Sequence, residues 1–131
     1  MAIDNVVASL LRIPMFAGLR PLQITEIARQ AEHRRFRCGD VITKAGMTGE
    51  GAYLILSGNA ERRPEPGSRA LPELIEPGSL VGELAMFVEH AYGATVVAGS
   101  VVHCIELTRA ALHAQMRGDP DLAKHLARTL R

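Results

Sequence analysis

Tryptophan is absent from this sequence, and its 131 residues include only two tyrosines and three phenylalanines. A core cannot be built around aromatic rings here, so it must come from leucine, valine, isoleucine and alanine, which carry most of the 47% hydrophobic share. That share excludes disorder of the low-hydrophobicity kind. Cysteine is as scarce: Cys38 and Cys104 stand alone, with no Cys-x-x-Cys spacing. This excludes a disulfide framework and a zinc ribbon, and both thiols are expected to be buried and reduced. No stretch approaches the roughly 18 apolar residues of a membrane helix, and the opening MAIDNVVASLLRIP has no basic group ahead of its apolar part. The expectation is a soluble, cytoplasmic protein without a membrane partner.

Charge of one sign is also missing. Lys and Arg number 15 against 14 Asp and Glu, for a net charge of +1. No general field draws nucleic acid or anionic lipid, so any anion must be held locally. The five histidines, His33, His90, His103, His113 and His125, form no His-x-x-x-His pair and no cluster with cysteine, so no metal is expected. The glycine-rich GMTGEG lacks the lysine and hydroxyl of a phosphate loop and reads as a turn. No serine, cysteine or aspartate stands in a nucleophile motif, so neither enzyme activity nor a cofactor is expected.

What is present is a pattern of ends and middle. The length suits one domain, 1–131. Near the start, Ile24, Ile27, Ala28 and Ala31 fall at helical spacing after Pro21, which predicts a helix from Pro21 to Gln30. A shorter helix in NVVASLLRI should end ahead of Pro14. Near the other end Thr108 can cap one helix through Met116, and Asp119 with Pro120 opens another, whose apolar stripe is Leu122, Ala123, Leu126, Ala127 and Leu130. Few later residues can cover that stripe, so this closing helix is expected to be the mobile or associating element, packing on the barrel, over the cassette or on a second copy. Between lie short β-rich runs, VIT, AYLILS, ATVVA and SVVHCIEL, separated by glycines. They predict an antiparallel barrel or sandwich over 33–107, between helical segments 1–32 and 108–131. RRPEPGSRALPE, with three prolines, reads as an exposed hairpin loop, and Arg34, Arg35, Arg37, Arg62 and Arg63 as a solvated face.

One segment carries more specific information. LVGELAMFVEHAYGATVVA resembles the phosphate-binding cassette of the cyclic-nucleotide-binding domains found in catabolite-type regulators, protein kinase A regulatory subunits and nucleotide-gated channels. The family pattern is F-G-E-L-A, about six variable residues, then P-R-A-A-T. This chain has Val81-Gly82-Glu83-Leu84-Ala85, six residues Met86 to Ala91, then Tyr92-Gly93-Ala94-Thr95. LLRIPMFAGLRPLQITEIA, FRCGDVITKAGMTGEGAYLILSGNAE and LTRAALHAQMRGDPDLAKHLARTL extend the resemblance over nearly the whole chain.

The resemblance implies an antiparallel double-stranded β-barrel, jelly-roll-like, with N-terminal helices, a cassette at 81–95 and C-terminal lid helices. It implies a regulatory sensor whose ligand is cyclic AMP or cyclic GMP. Gly82 would let the ligand approach the backbone, and the helix start at Glu83, Leu84 and Ala85 would offer N–H groups to phosphate. Glu83 would accept from the ribose 2′-hydroxyl, Thr95 would lie near the phosphate or the base edge and donate through its hydroxyl, and Gly93 and Ala94 would complete the ligand-binding cassette. Leu122 or Leu126 would close over the base.

Tyr92 breaks the pattern, because it stands where the family has its phosphate-binding arginine. A neutral donor replaces a bidentate cation, so nucleotide affinity should fall at least ten- to hundredfold. Tyr92 either contacts a less charged ligand or fills the empty space with its ring, and His90 offers a charge only when protonated. Three functions stay open: a sensor that binds a nucleotide-like ligand weakly, a ligand-independent module for a protein partner or homodimer, and the sensor part of a larger transcription regulator. Catabolite-type regulators carry a helix-turn-helix after the closing helix, whereas this chain stops at Arg131, so no direct nucleic acid binding is expected.

Overall fold

A computed structural model of the chain describes residues 3–129. Helix α1 (Ile3–Leu11) buries Val6 and Leu10, one helical turn apart, and leads into a 3-10 turn at Pro14–Phe16. Helix α2 (Pro21–Gln30) starts on its proline and buries Ile24, Ile27 and Ala28. Eight strands follow: β1 (Glu32–Phe36), β2 (Val41–Thr43), β3 (Gly51–Ser57), β4 (Ala60–Arg63), β5 (Glu73–Ile75), β6 (Leu80–Val81), β7 (Thr95–Ala98) and β8 (Val102–Thr108). A 3-10 turn at Glu83–Met86 interrupts them, and α3 (Arg109–Gly118) and α4 (Pro120–Thr129) close the described chain. The sequence-predicted Leu130 lies outside the described residues.

All strand pairs are antiparallel and fall into two four-stranded sheets, ordered β1-β8-β3-β6 and β2-β7-β4-β5. The expected jelly roll therefore forms, with its strands in two facing sheets. The first sheet is covered on both faces. Leu54, Ile105 and Leu107 meet Leu10, Phe16, Leu122 and Leu126 on the helical side, while Ile55, Val102 and Cys104 meet Ile42, Ala60, Val96 and Ala98 of the second sheet. Successive side chains of a strand point to opposite faces, so double coverage explains why β3 reads as the unbroken apolar run LIL. Each such side chain contributes about 1.5–3 kcal/mol when fully buried.

Both predicted caps are present. Thr108 Oγ1 accepts from the Ala111 N–H at 3.2 Å, and Asp119 Oδ1 accepts from the Leu122 N–H at 3.1 Å. The proline-rich stretch is an exposed connection between β4 and β5. One expectation is corrected and two are made specific. Only Cys104 is buried; Cys38 is exposed in the β1–β2 turn, where Gly39 and Asp40 bring the chain around. The apolar stripe of α4 is covered within the chain, the first of the expected arrangements: α4 packs on α3 and the Pro14–Phe16 turn, and Leu122 and Leu126, at 0% and 1% exposure, share a core with Leu54, Ile105 and Leu107 of the first sheet. The five arginines are solvated as expected, Arg34, Arg35, Arg37 and Arg63 exposed and the Arg62 side chain 40% exposed, but they form no single face, because β1 and β4 belong to different sheets.

Candidate functional site: a tyrosine across the cassette

Strand β6 pairs with β3 through Tyr53↔Val81 and delivers the chain directly to Gly82. Gly82 turns it with φ +75°, a left-handed conformation that favours glycine. The 3-10 turn that follows is anchored by buried Ala85 and Met86 and by Phe87 beyond it, while Glu83 and Leu84 remain exposed. The chain then runs back beside the β2–β3 turn. Tyr92 N–H donates to Met47 O at 3.0 Å, and Gly46 N–H donates to Tyr92 O at 2.9 Å.

These two backbone bonds fix the direction of the Tyr92 side chain, which enters the space between Gly49 and Gly82. A Cβ on Gly49 would collide with the phenol, and one on Gly82 would lie 2.5 Å from Tyr92 Cε1. The two glycines therefore form a slot for the ring. At its end the hydroxyl donates to Gly51 O at 2.7 Å. Burial, and then the nearby Glu106 carboxylate, raise the phenol pKa above its ordinary value. Tyr92 stays protonated, with its one donor spent on the backbone.

The ring stands between two clefts. One, of about 420 Å³, is lined by Glu83, Leu84, His90 and Gly93 as well as Tyr92. The other, of about 220 Å³, is lined by Thr43, Arg62, Val81, Gly93 and Ala94 and shares the same tyrosine wall. Thr95 is half-buried, and its Oγ1 accepts from the Ala45 N–H at 3.0 Å, tying β7 to the β2–β3 turn. Thr43 Oγ1 donates to Ala94 O at 3.0 Å. The cassette residues named from sequence, Gly82 to Ala85 and Tyr92 to Thr95, are thus brought together around one side chain. Leu122 and Leu126 are not among them; they lie in the helical core.

The residues that do reach the cassette from the closing helices escaped the sequence reading. Arg109 Nη1 donates to three carbonyls, Ala85 O at 2.8 Å, Gly49 O at 3.1 Å and Val88 O at 3.2 Å. His113 Nε2 donates to Phe87 O at 2.6 Å. A cation in the first turn of a helix opposes the helix dipole, and that unfavourable placement was the available signal at Arg109. Below Tyr92 the first sheet carries a further polar pair: Glu106, 3% exposed, accepts from Arg34 Nε at 3.1 Å and Nη2 at 3.0 Å. Among the described residues no three His, Cys, Asp or Glu side chains are grouped to hold a metal, and no helix is long and apolar enough to cross a membrane.

A cyclic nucleotide-binding domain model matches residues 33–119, which takes in both sheets, the cassette and α3. The chain belongs to the cyclic nucleotide-binding domain family. Among its curated relatives are a CRP-like cAMP-activated global transcriptional regulator of Mycobacterium tuberculosis, 26% identical over 97% of this chain and 56% of that protein, and a cAMP-dependent protein kinase regulatory subunit of Blastocladiella emersonii, 30% identical over 79% and 26%. The chain therefore spans about half, or less, of the length of the relatives it matches. Among solved structures, the N-terminal domain of a transcriptional regulator from Streptomyces coelicolor superimposes with a TM-score of 0.84 at 27% identity, covering 93% of this chain and 87% of that one. Within this cyclic nucleotide-binding domain, the departure at Tyr92 is a filled slot.

Proposed function

We propose that this domain is a regulatory sensor that takes a cyclic nucleotide or a related anionic ligand at the cassette and passes its occupancy to the C-terminal helices. The family and the regulatory roles named for the relatives support the first half. The second half is carried by one observation: Arg109 and His113 of α3 hold the cassette turn by its carbonyls. A ligand that displaces Glu83–Met86 must stretch or break those bonds, so α3 responds to the same event. Glu83, exposed on the larger cleft, is assigned to the ribose, and Gly82, Gly93 and Ala94 to close backbone approach. No catalysis and no resident cofactor enter this reading, and nucleic acid would be contacted by other parts of a longer regulator.

A second reading rests on Tyr92. Its ring occupies the slot and its hydroxyl is bonded to Gly51 O, which favours a ligand-independent module that keeps the fold for contact with a protein partner or a second copy. Titration with cyclic AMP and with cyclic GMP, followed by backbone amide NMR, separates the two. The sensor reading expects saturable shifts at Gly82–Ala85 and at Arg109–His113 together. Absence of shifts with both nucleotides would leave the second reading standing.

A further inference from the structure

Arg62 occupies an unusual position for an arginine. In β4 it lies two residues from Ala60, which is 0% exposed in the core between the sheets, so the two side chains share the inward face. The ladder agrees. Arg62 pairs with Val96 of β7, 1% exposed, and Val96 pairs with Thr43 of β2, 2% exposed. On its other side Arg62 pairs with Glu73 of β5, two residues from buried Ile75. One rung of the second sheet thus reads Thr43, Val96, Arg62, Glu73; the first two are buried, Arg62 and Glu73 reach solvent, and Thr43, Val96 and Arg62 line the cleft beside Gly82 and Tyr92.

A guanidinium that lines that cleft while keeping much of its hydration pairs favourably with an anion. Glu73 supplies one: Arg62 Nη1 donates to Glu73 Oε2 at 2.7 Å, with the side chains 40% and 64% exposed. One guanidinium carries five donors in a planar fork that matches phosphate and carboxylate. Among the described residues this single contact is the one Arg62 makes, and Arg62 is the one charged group lining the 220 Å³ cleft. That volume far exceeds the roughly 10–15 Å³ needed by one water.

We propose that Arg62 is the cation that receives the ligand's anionic group, entering from β4 and replacing the charge that the cassette lacks at Tyr92. The inference rests on the reading of the domain as a nucleotide-type sensor and deepens it. The anion would lie on the β4 side of the tyrosine ring, between Thr43, Ala94 and Arg62, and would share or displace the Glu73 contact. The cation is thus carried by the sheet wall and not by the cassette.

Calorimetric titration with cyclic AMP tests this on four proteins: wild type, Arg62→Met, Arg62→Lys and Arg63→Gln. Methionine retains the aliphatic stem while deleting the charge, and should bind at least tenfold more weakly. Lysine, a point charge in place of a fork, should lose about three- to tenfold. Arg63, exposed and on the opposite face, changes net charge equally and should leave Kd within twofold. An unchanged Kd for Arg62→Met, or an equal loss for Arg63→Gln, overturns the proposal while leaving the sensor reading intact. Should Arg62→Met fail to melt cooperatively, Arg62→Lys decides, and an unchanged Kd there overturns it. No binding by the wild type removes the sensor reading and this inference with it.

Discussion

Arg109→Met is the perturbation that tests how the cassette is held. Methionine fills much of the same length but ends the three contacts of Nη1 with Ala85 O, Gly49 O and Val88 O. One nitrogen has two hydrogens, so the three distances describe about two full bonds shared among three carbonyls. Hydrogen bonds to a charged group contribute roughly 1.5–3 kcal/mol net each, about 3–6 kcal/mol for two, and the half-exposed setting of Arg109 reduces this total to about 2 kcal/mol. An unfolding entropy of roughly 2.1 cal/mol/K per residue gives about 275 cal/mol/K for 131 residues. Two kcal/mol then lowers Tm by about 7 °C. Scanning calorimetry measures that shift, and amide hydrogen exchange locates it. Protection should fall at Ala85–Val88 and at Gly49–Gly51, while the strand pairs of β3 and β8 keep theirs. A Tm loss under 2 °C, or a loss of protection spread evenly over the sheets, would refute the view of Arg109 as the tie between cassette and α3.

Tyr92→Arg should place a second cation at the cassette and tighten cyclic AMP at least tenfold by calorimetry, and Glu83→Ala in that background should cancel much of the gain. Alkylation under native conditions should mark Cys38 alone, because Cys104 is buried and its thiol is pushed up to about 12; mass spectrometry reads the sites. The same shift gives a pH dependence. A raised folded-state pKa favours the native state below the unfolded value near 9, and that contribution is lost as pH rises from about 9 to 12. Asp119 runs the other way: the hydrogen bond from Gln23 and then the Leu122 N–H hold its carboxyl below the ordinary value. Its contribution is present above about pH 4 and lost as pH falls further, so the acid melting curve of Asp119→Asn should be flatter than the wild type's in that window.

Much of the fold was legible because its signals are local. Pro21, Thr108 and the Asp119-Pro120 pair act on their own turns, and glycines mark the reversals of strands whatever lies opposite. The site was legible only as a set of positions. Which way Tyr92 points depends on two backbone bonds to the β2–β3 turn, some 45 residues earlier in the chain. The place of Arg62 beside the cleft was hidden for a related reason, although its solvation was legible. The string AERR has no apolar alternation of its own, and only the pairing of Ala60 with Ile75 and Arg62 with Val96 tells which residues face the interior. Cys38 was misplaced because scarcity of cysteine suggests burial, while the turn around Gly39 exposes it.

Two of these long-range residues act on the same three-residue stretch. The Tyr92 hydroxyl holds Gly51 O, and Arg109 holds Gly49 O, so the start of β3 is gripped at once by the cassette and by the first turn of α3. A ligand that reached from the cleft beside Arg62 across to Glu83 would have to pass the Tyr92 ring, and so would compete with it for the slot between Gly49 and Gly82. The Gly51 bond opposes that entry by about 1 kcal/mol, a factor of about five in affinity. This is a smaller effect than the roughly 1.5–3 kcal/mol from pairing an anion with a guanidinium, so the proposal for Arg62 expects Tyr92 to weaken binding without forbidding it. Displacement of the ring would release Gly51 O while Arg109 still holds Gly49 O, so on the proposed sensor reading Arg109 is the contact through which occupancy would reach α3.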